Sequence, residues 1–286
     1  MTAISEISTI RGWLKYLTND NYFTPKEIAY RKSMIEDSGI DYSTVYDEVM
    51  QYRMKKKSHL ITLNEQEFTF VKTHKMLHYT DKIKDFWKAH ANIIKENYKG
   101  ELLFDSLLSE AFSSSSIEGA HSTKKRTAEI IKQSLKPMDK SERMIVNNFH
   151  AMEFIFENRG APLNNDFILS LHKMITENTL DETKDEGVFR DGDVDILSAT
   201  QKVIFSPISN IAKMNKMIEH LYRYVNTINS DFEDEYIEPL YKAISFHFLY
   251  GFIHPHFDGN GRTLRVLFTH LLGSYGYDMF YYISLS

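Results

Sequence analysis

Apolar side chains recur every three or four positions along most of this chain, a spacing that commits it to amphipathic helices packed on one another. Ile83, Phe86, Trp87, His90, Ile94 and Tyr98 fall three or four apart, with Gly100 as a stop. Ile145, Phe149, Met152 and Phe156 repeat the pattern up to Gly160. Ile168, Leu171 and Ile175 form the next stripe, entered through Asn164 or Asn165 as N-cap. Met214, Met217, Leu221 and Tyr224 make another. Pro239 suits the first turn of a helix carrying Leu240, Ile244, Phe248 and Phe252, and a last helix starts near Asn260 with Leu264, Leu267 and Leu271.

One stretch departs from this period. Between Gly187 and Ile208, Val194-Asp195-Ile196 and Val203-Ile204-Phe205 are short runs of β-formers separated by the turn-prone residues Ser198 to Gln201. The expected fold class is therefore all-α, a helical bundle with one small β-hairpin. A chain of 286 residues can hold one large domain, or one domain plus a helical extension. Lys55-Lys56-Lys57 reads as a solvated helix face.

Composition removes several classes of function. A net charge of −5 gives no general attraction to nucleic acid or to anionic membranes, and no nucleic-acid partner is expected. Without cysteine there are no disulfides and no thiolate metal sites, which fits a reducing, cytoplasmic setting. No run reaches eighteen apolar residues, so no membrane span is expected. The start, MTAISEISTIRGWLKYL, lacks the basic opening and apolar core of a signal peptide.

The chemistry concentrates in the run His254-Pro255-His256-Phe257-Asp258-Gly259-Asn260-Gly261-Arg262-Thr263-Leu264-Arg265, between two apolar helices. Gly259 and Gly261 allow a backbone to approach a ligand closely and turn its N–H groups inward. The following helix start adds unpaired amides and its dipole, a natural seat for phosphate. Arg262 lies in that helix's first turn and Arg265 one turn on; a cation there makes sense with an anionic ligand between. Asp258 is a hard oxygen ligand suited to Mg²⁺ held jointly with phosphate oxygens. His254 has the side chain whose pKa suits a general base for a hydroxyl nucleophile. Asp-Gly and Asn-Gly are also ordinary turn dipeptides; the joint order of base, carboxylate, glycines and arginines singles this loop out. No Walker loop occurs.

This string resembles the signature of the Fic family, H-P-F-x-D-G-N-G-R-x-x-R. His254, Pro255, Asp258, Gly259, Asn260, Gly261, Arg262 and Arg265 match it, while His256 stands where the family has Phe. The resemblance extends from about Leu102 to Tyr277. It implies a Fic-type helical bundle, with residues 102–286 as the catalytic domain; residues 1–101 are a helical region to which the sequence assigns no role, a dimer or target contact being one reading. It further implies nucleotidyl transfer, most often AMPylation: ATP as co-substrate, Mg²⁺ as cofactor, and a Ser, Thr or Tyr hydroxyl of a target protein as acceptor. His254 would take the hydroxyl proton, and Asp258 would hold the Mg²⁺. Gly259, Asn260 and Gly261 would bind the α- and β-phosphates, and Arg262 and Arg265 the outer ones. Relatives that transfer a terminal phosphate carry lysine in place of the second glycine, and Gly261 argues against that variant.

Upstream, Ser114 and Glu118 lie one turn apart behind the helical run Phe104, Leu107, Leu108, Ala111, Phe112, and Gly119 follows as a C-cap. By resemblance, Ser114-x-x-x-Glu118-Gly119 is the family's inhibitory motif, on a helix at about 105–119. Glu118 would pair with Arg265 and block the γ-phosphate. The hairpin would be the flap over the active site, with Val203, Ile204 and Phe205 docking an extended target segment. His172 and His247 lack metal-site spacing and read as core or surface residues, and His256 receives no role. Two other readings stay open: removal of AMP from a modified protein, with Glu118 orienting water, and a non-catalytic binding module.

Overall fold

The computed structural model describes residues 7–97, 100–227 and 237–284. The opening residues of the segment read above for a signal peptide lie outside them, as does Tyr98 of the first helical stripe. By internal contacts the chain divides into two units, Met1–Ile61 with Glu67–Lys88, and Thr62–Gln66 with Ala89–Ser286. No helix among the described residues is long and apolar enough to cross a membrane.

The first unit starts with α1 (Ile10–Lys15), entered through Thr9, whose hydroxyl accepts from the Gly12 N–H at 3.1 Å. A π-turn at Tyr16–Asp20 leads to α2 (Pro25–Ala29), α3 (Lys32–Asp37) and α4 (Tyr42–Lys56). Thr24 and Glu27 close a reciprocal capping box on α2, and Asp41 caps α4. Trp13, Leu17, Ile28, Ile35, Val45 and Val49 form the core, and the Trp13 indole donates to Ser38 Oγ at 3.0 Å.

Two strands follow, β1 (Lys57–Leu63) and β2 (Gln66–Val71), paired with each other, and then α5 (His74–Asn97). The helical reading of the sequence expected one hairpin, so this second one is a correction. Its signal is present in the chain: alternating β-formers flank Asn64-Glu65, both with positive φ (47° and 69°), the torsions a two-residue hairpin turn requires. Lys55 and Lys56 end α4 and Lys57 opens β1, all three exposed.

The second unit contains α6 (Glu101–Ile117), α7 (Lys124–Lys132), α8 (Lys140–Glu157) and α9 (Asn165–Thr176). The hairpin β3 (Ile196–Leu197) and β4 (Val203–Phe205) follows, then α10 (Ile211–Asn226), α11 (Pro239–Ile253) and α12 (Asn260–Ser274). Helices start where the sequence places caps: Asn164 accepts from the Phe167 N–H at 2.9 Å, and Pro239 opens α11. α12 is the central element, packed on α11, α6, α8 and α9. Its Val266, Leu267, Leu271 and Leu272 are buried, each contributing roughly 1.5–3 kcal/mol by removal from water. This packing places the loop between α11 and α12 beside the ends of α6 and α9.

Candidate active site

α11 ends at His254, which turns into the left-handed region (φ 51°, ψ 64°) while its N–H still bonds the Tyr250 carbonyl at 2.9 Å. The last carbonyls of a helix need outside donors. Arg190 supplies them: Nε donates to the His254 carbonyl at 2.8 Å, and Nη2 reaches those of Ile208 at 2.7 Å and Ile253 at 3.5 Å. Its Nη1 donates to Gly192 O at 2.8 Å, and its own backbone N–H to Pro255 O at 2.9 Å. The guanidinium is 1% exposed; burial lowers its pKa, opposed by the charge of Asp193. The sequence reading missed Arg190, which fixes the backbone that presents His254.

The His254 ring is half-buried. Burial lowers its pKa, with Arg190 acting the same way, while a bond to the Gly251 carbonyl and the charges of Asp258 and Glu118 act against it. The ring is thus neutral near pH 7, with a nitrogen able to take a proton.

Beyond Pro255, the loop is fastened through His256, Asn260 and His172. His256 is fully buried, with Nδ1 2.7 Å from the Val188 carbonyl and Nε2 2.7 Å from the Tyr250 hydroxyl. It fills the place the resemblance assigns to Phe, while Phe257 is only half-buried. Asn260, expected at the phosphates, commits its side chain to the loop: Oδ1 accepts from the His256 N–H at 3.0 Å and Nδ2 donates to the His256 carbonyl at 2.7 Å. His172, on α9, stacks on His256 with centroids 3.7 Å apart and planes 5° from parallel. Its Nε2 bonds the Asp258 carbonyl at 2.9 Å.

The second half of the loop holds the charged residues. Gly259 has φ 76°, and α12 begins at Asn260. Arg262, expected at the outer phosphates, is 2% exposed and donates Nη1 to the Ile175 carbonyl at 3.0 Å, in the last turn of α9. Its Nε is buried without a bond, and burial lowers its pKa against the charges of Asp258 and Glu118. Arg265 meets the upstream motif. Nε donates to Ser114 Oγ at 2.8 Å, and Nη2 donates to Ser114 O at 3.0 Å and Glu118 Oε1 at 2.6 Å. α6 ends so as to aim Glu118 there: the Ala120 N–H bonds Ser115 O, the Gly119 N–H bonds Ser116 O, and Gly119 has φ 88°. The Glu118 carboxylate lies against Gly261, where a Cβ would collide with it.

Asp258 is exposed, and one carboxylate oxygen accepts from the Gly259 N–H at 2.5 Å. No cluster of three metal-ligating side chains exists among the described residues. A lone hard carboxylate at the loop's rim fits a Mg²⁺ ion shared with phosphate oxygens rather than one caged by protein.

In the hairpin, Ile196 pairs with Phe205 and Leu197 with Val203, and Val194 and Asp195 stand outside the paired strands. Val203 and Ile204 are 48% and 66% exposed, and the Phe205 ring lies 5.3 Å from Phe252, two residues before His254. His247 is half-buried, its ring T-shaped to that of Phe268 with centroids 5.3 Å apart.

Comparison with known proteins agrees with this geometry: residues 162–272 match the Fic/DOC family model. The chain carries a Fic domain. The matched stretch holds α9, the hairpin and the whole loop from His254 to Arg265, whereas α6 with Ser114 and Glu118 precedes it. Among solved structures, a Fic family protein from Desulfovibrio desulfuricans is 21% identical with a TM-score of 0.63, over 74% of this chain and 61% of that one. A Fic domain containing signaling protein from Bacteroides thetaiotaomicron is 23% identical with a TM-score of 0.56, over 68% and 72%. Fic-1 from C. elegans is 14% identical with a TM-score of 0.57, over 94% of this chain and 74% of that one. At these identities the likeness is one of fold. No curated protein matches the chain.

Proposed function

We propose that this Fic domain transfers AMP from ATP to a Ser, Thr or Tyr hydroxyl of a target protein, and that Glu118 holds the activity in check. The observation that carries this reading is the triple contact of Arg265 with Ser114 and Glu118. A guanidinium at a helix start beside a glycine loop suits a phosphate, and here a carboxylate already occupies it.

In the reaction, the acceptor oxygen attacks the α-phosphorus in line while its proton passes to the free nitrogen of His254. The bond from the α-phosphorus to the bridging oxygen breaks, and pyrophosphate carries that oxygen and its electron pair away. The backbone amides of Gly259 to Gly261 bind the α- and β-phosphates, and Arg265, once released, binds the γ-phosphate. Asp258 would hold Mg²⁺, which supplies charge neutralisation to the phosphates. The exposed edge of β4 would align the acceptor segment by backbone bonding.

The Glu118–Arg265 pair is partly exposed, with side chains 35% and 21% accessible. Such pairs contribute about 1 kcal/mol or less, and this one persists because the competitor is tethered at high effective concentration. Glu118→Gly removes it, and incorporation of labelled AMP into the protein itself or into a lysate should rise about tenfold or more. A folded Glu118→Gly protein with unchanged labelling would rule the restraint out. A pre-modified protein in the same assay reports the reverse reaction.

A further inference from the structure

Beneath the loop lies a feature that the transfer reaction as described does not use, the stacked imidazoles of His172 and His256. Their partners fix both rings. The Gly187 N–H donates to His172 Nδ1 at 3.0 Å, and a backbone N–H can only donate, so Nδ1 carries a lone pair. The proton is then on Nε2, which donates to the Asp258 carbonyl at 2.9 Å. In His256 the order is reversed. Val188 O, which can only accept, lies 2.7 Å from Nδ1, so that nitrogen carries the proton. Nε2 accepts from the Tyr250 hydroxyl, whose burial keeps it protonated. The two rings face each other 3.7 Å apart, neutral and in opposite tautomers.

We propose that His172 and His256 are positioning residues, a tautomer-locked pair that sets where the loop presents Asp258 and Gly259. The proposal rests on the loop being the phosphate site. Four directed bonds tie the pair to Gly187, Val188, Tyr250 and Asp258, so the loop is registered against α9, α11 and the segment before the hairpin together. His172 also packs directly under Gly259: a Cβ there would meet its Nε2 at 3.1 Å and the Thr176 methyl at 2.6 Å. A displacement of His172 therefore moves the peptide that joins the magnesium-suited carboxylate to the first glycine. An apolar ring at position 256 would fill the space but make neither bond, leaving the Tyr250 hydroxyl buried without this acceptor.

Nuclear magnetic resonance with isotopically labelled histidine nitrogens tests the pair on the nucleotide-free wild-type chain. The expected pattern is protonated Nε2 and bare Nδ1 for His172, with the inverse for His256. Both rings in one tautomer would overturn the proposal whatever the activity. Two substitutions of His172 then separate positioning from packing. Gln can still reach the Asp258 carbonyl with an N–H, whereas Asn can only satisfy Gly187. Calorimetric binding of MgATP and the magnesium concentration needed for transfer are read in a Glu118→Gly background. Asn is expected to cost at least about tenfold in both, and Gln to recover most of that loss. Equal losses from Asn and Gln would show that His172 only fills space. If the Glu118→Gly parent binds MgATP but transfers nothing, the transfer reading fails while the tautomer pattern and the binding difference still decide this proposal.

Discussion

Residues 254–258 tie four of their backbone carbonyls to buried residues, whereas Arg265, at the end of the next stretch, is held in part by a carboxylate that a ligand can replace. In the first half, the carbonyls of His254 and Pro255 go to Arg190, and those of His256 and Asp258 go to Asn260 and His172. All of these partners are buried. In the second half, Arg262 is locked under α9, but Arg265 meets a partly exposed carboxylate. On the proposed function, the difference separates chemistry from control along twelve residues: the base would be held by contacts that exist before any ligand arrives, and the phosphate seat by a contact that a ligand must displace.

Four measurements can break or sharpen that contrast. The largest effect is expected for His254→Ala, which removes the proton acceptor and no phosphate contact. Transfer should fall on the order of 10²–10⁴-fold, with calorimetric ATP binding nearly unchanged. Near-normal transfer would move the base elsewhere. Arg190→Leu strips the donor from four carbonyls around the end of α11, and should lower stability in denaturant titration by on the order of 3 kcal/mol. A loss of activity at unchanged stability would mean that Arg190 acts on the ligand rather than on the loop.

The third measurement is stability against pH. Burial holds His172, His256 and His270 neutral in the fold, with His172 lowered from 6.5 to about 4. The unfolded chain binds protons first as pH falls, so stability is complete above pH 6.5 and declines as pH drops toward about 4. For His172 alone the change approaches on the order of 3 kcal/mol. A flat profile across that window would show these imidazoles to be solvated. The smallest effect is on affinity: in a Glu118→Gly background, Arg265→Ala should weaken ATP by about tenfold to a hundredfold and AMP much less, because only ATP presents outer phosphates. Equal losses would place Arg265 away from the γ-phosphate.

What the sequence revealed follows the range of the forces involved. The helices, the Asn164 cap and Pro239 at a first turn are local and were legible, but the stripe read along α11 is not its buried face: Ile244 and Phe248 are exposed, while Phe246, Leu249 and Tyr250 are buried. The β1–β2 hairpin was equally local and was missed because its alternation sits between two helical stretches. Arg190 could not be read, because its side chain's carbonyl partners lie up to 64 residues away and Val188-Phe189-Arg190-Asp191 has no local signal of its own. The same holds for His172 and His256, whose meaning appears only when α9 and the loop are packed together. The contact of Glu118 with Arg265 spans 147 positions, yet it was anticipated because each partner sits in a recognisable string.

The left-handed backbone of His254 has a consequence for how this chain can be improved or worn down. For a residue with a Cβ that conformation is unfavourable by roughly 1–2 kcal/mol, and glycine escapes most of the penalty. A search for hardier variants, by heat or by random drift without selection for activity, would therefore favour glycine at the position where the proposed transfer needs a side chain. On that reading the most durable form of this loop is an inert one, and only continued demand for its chemistry keeps the imidazole in place.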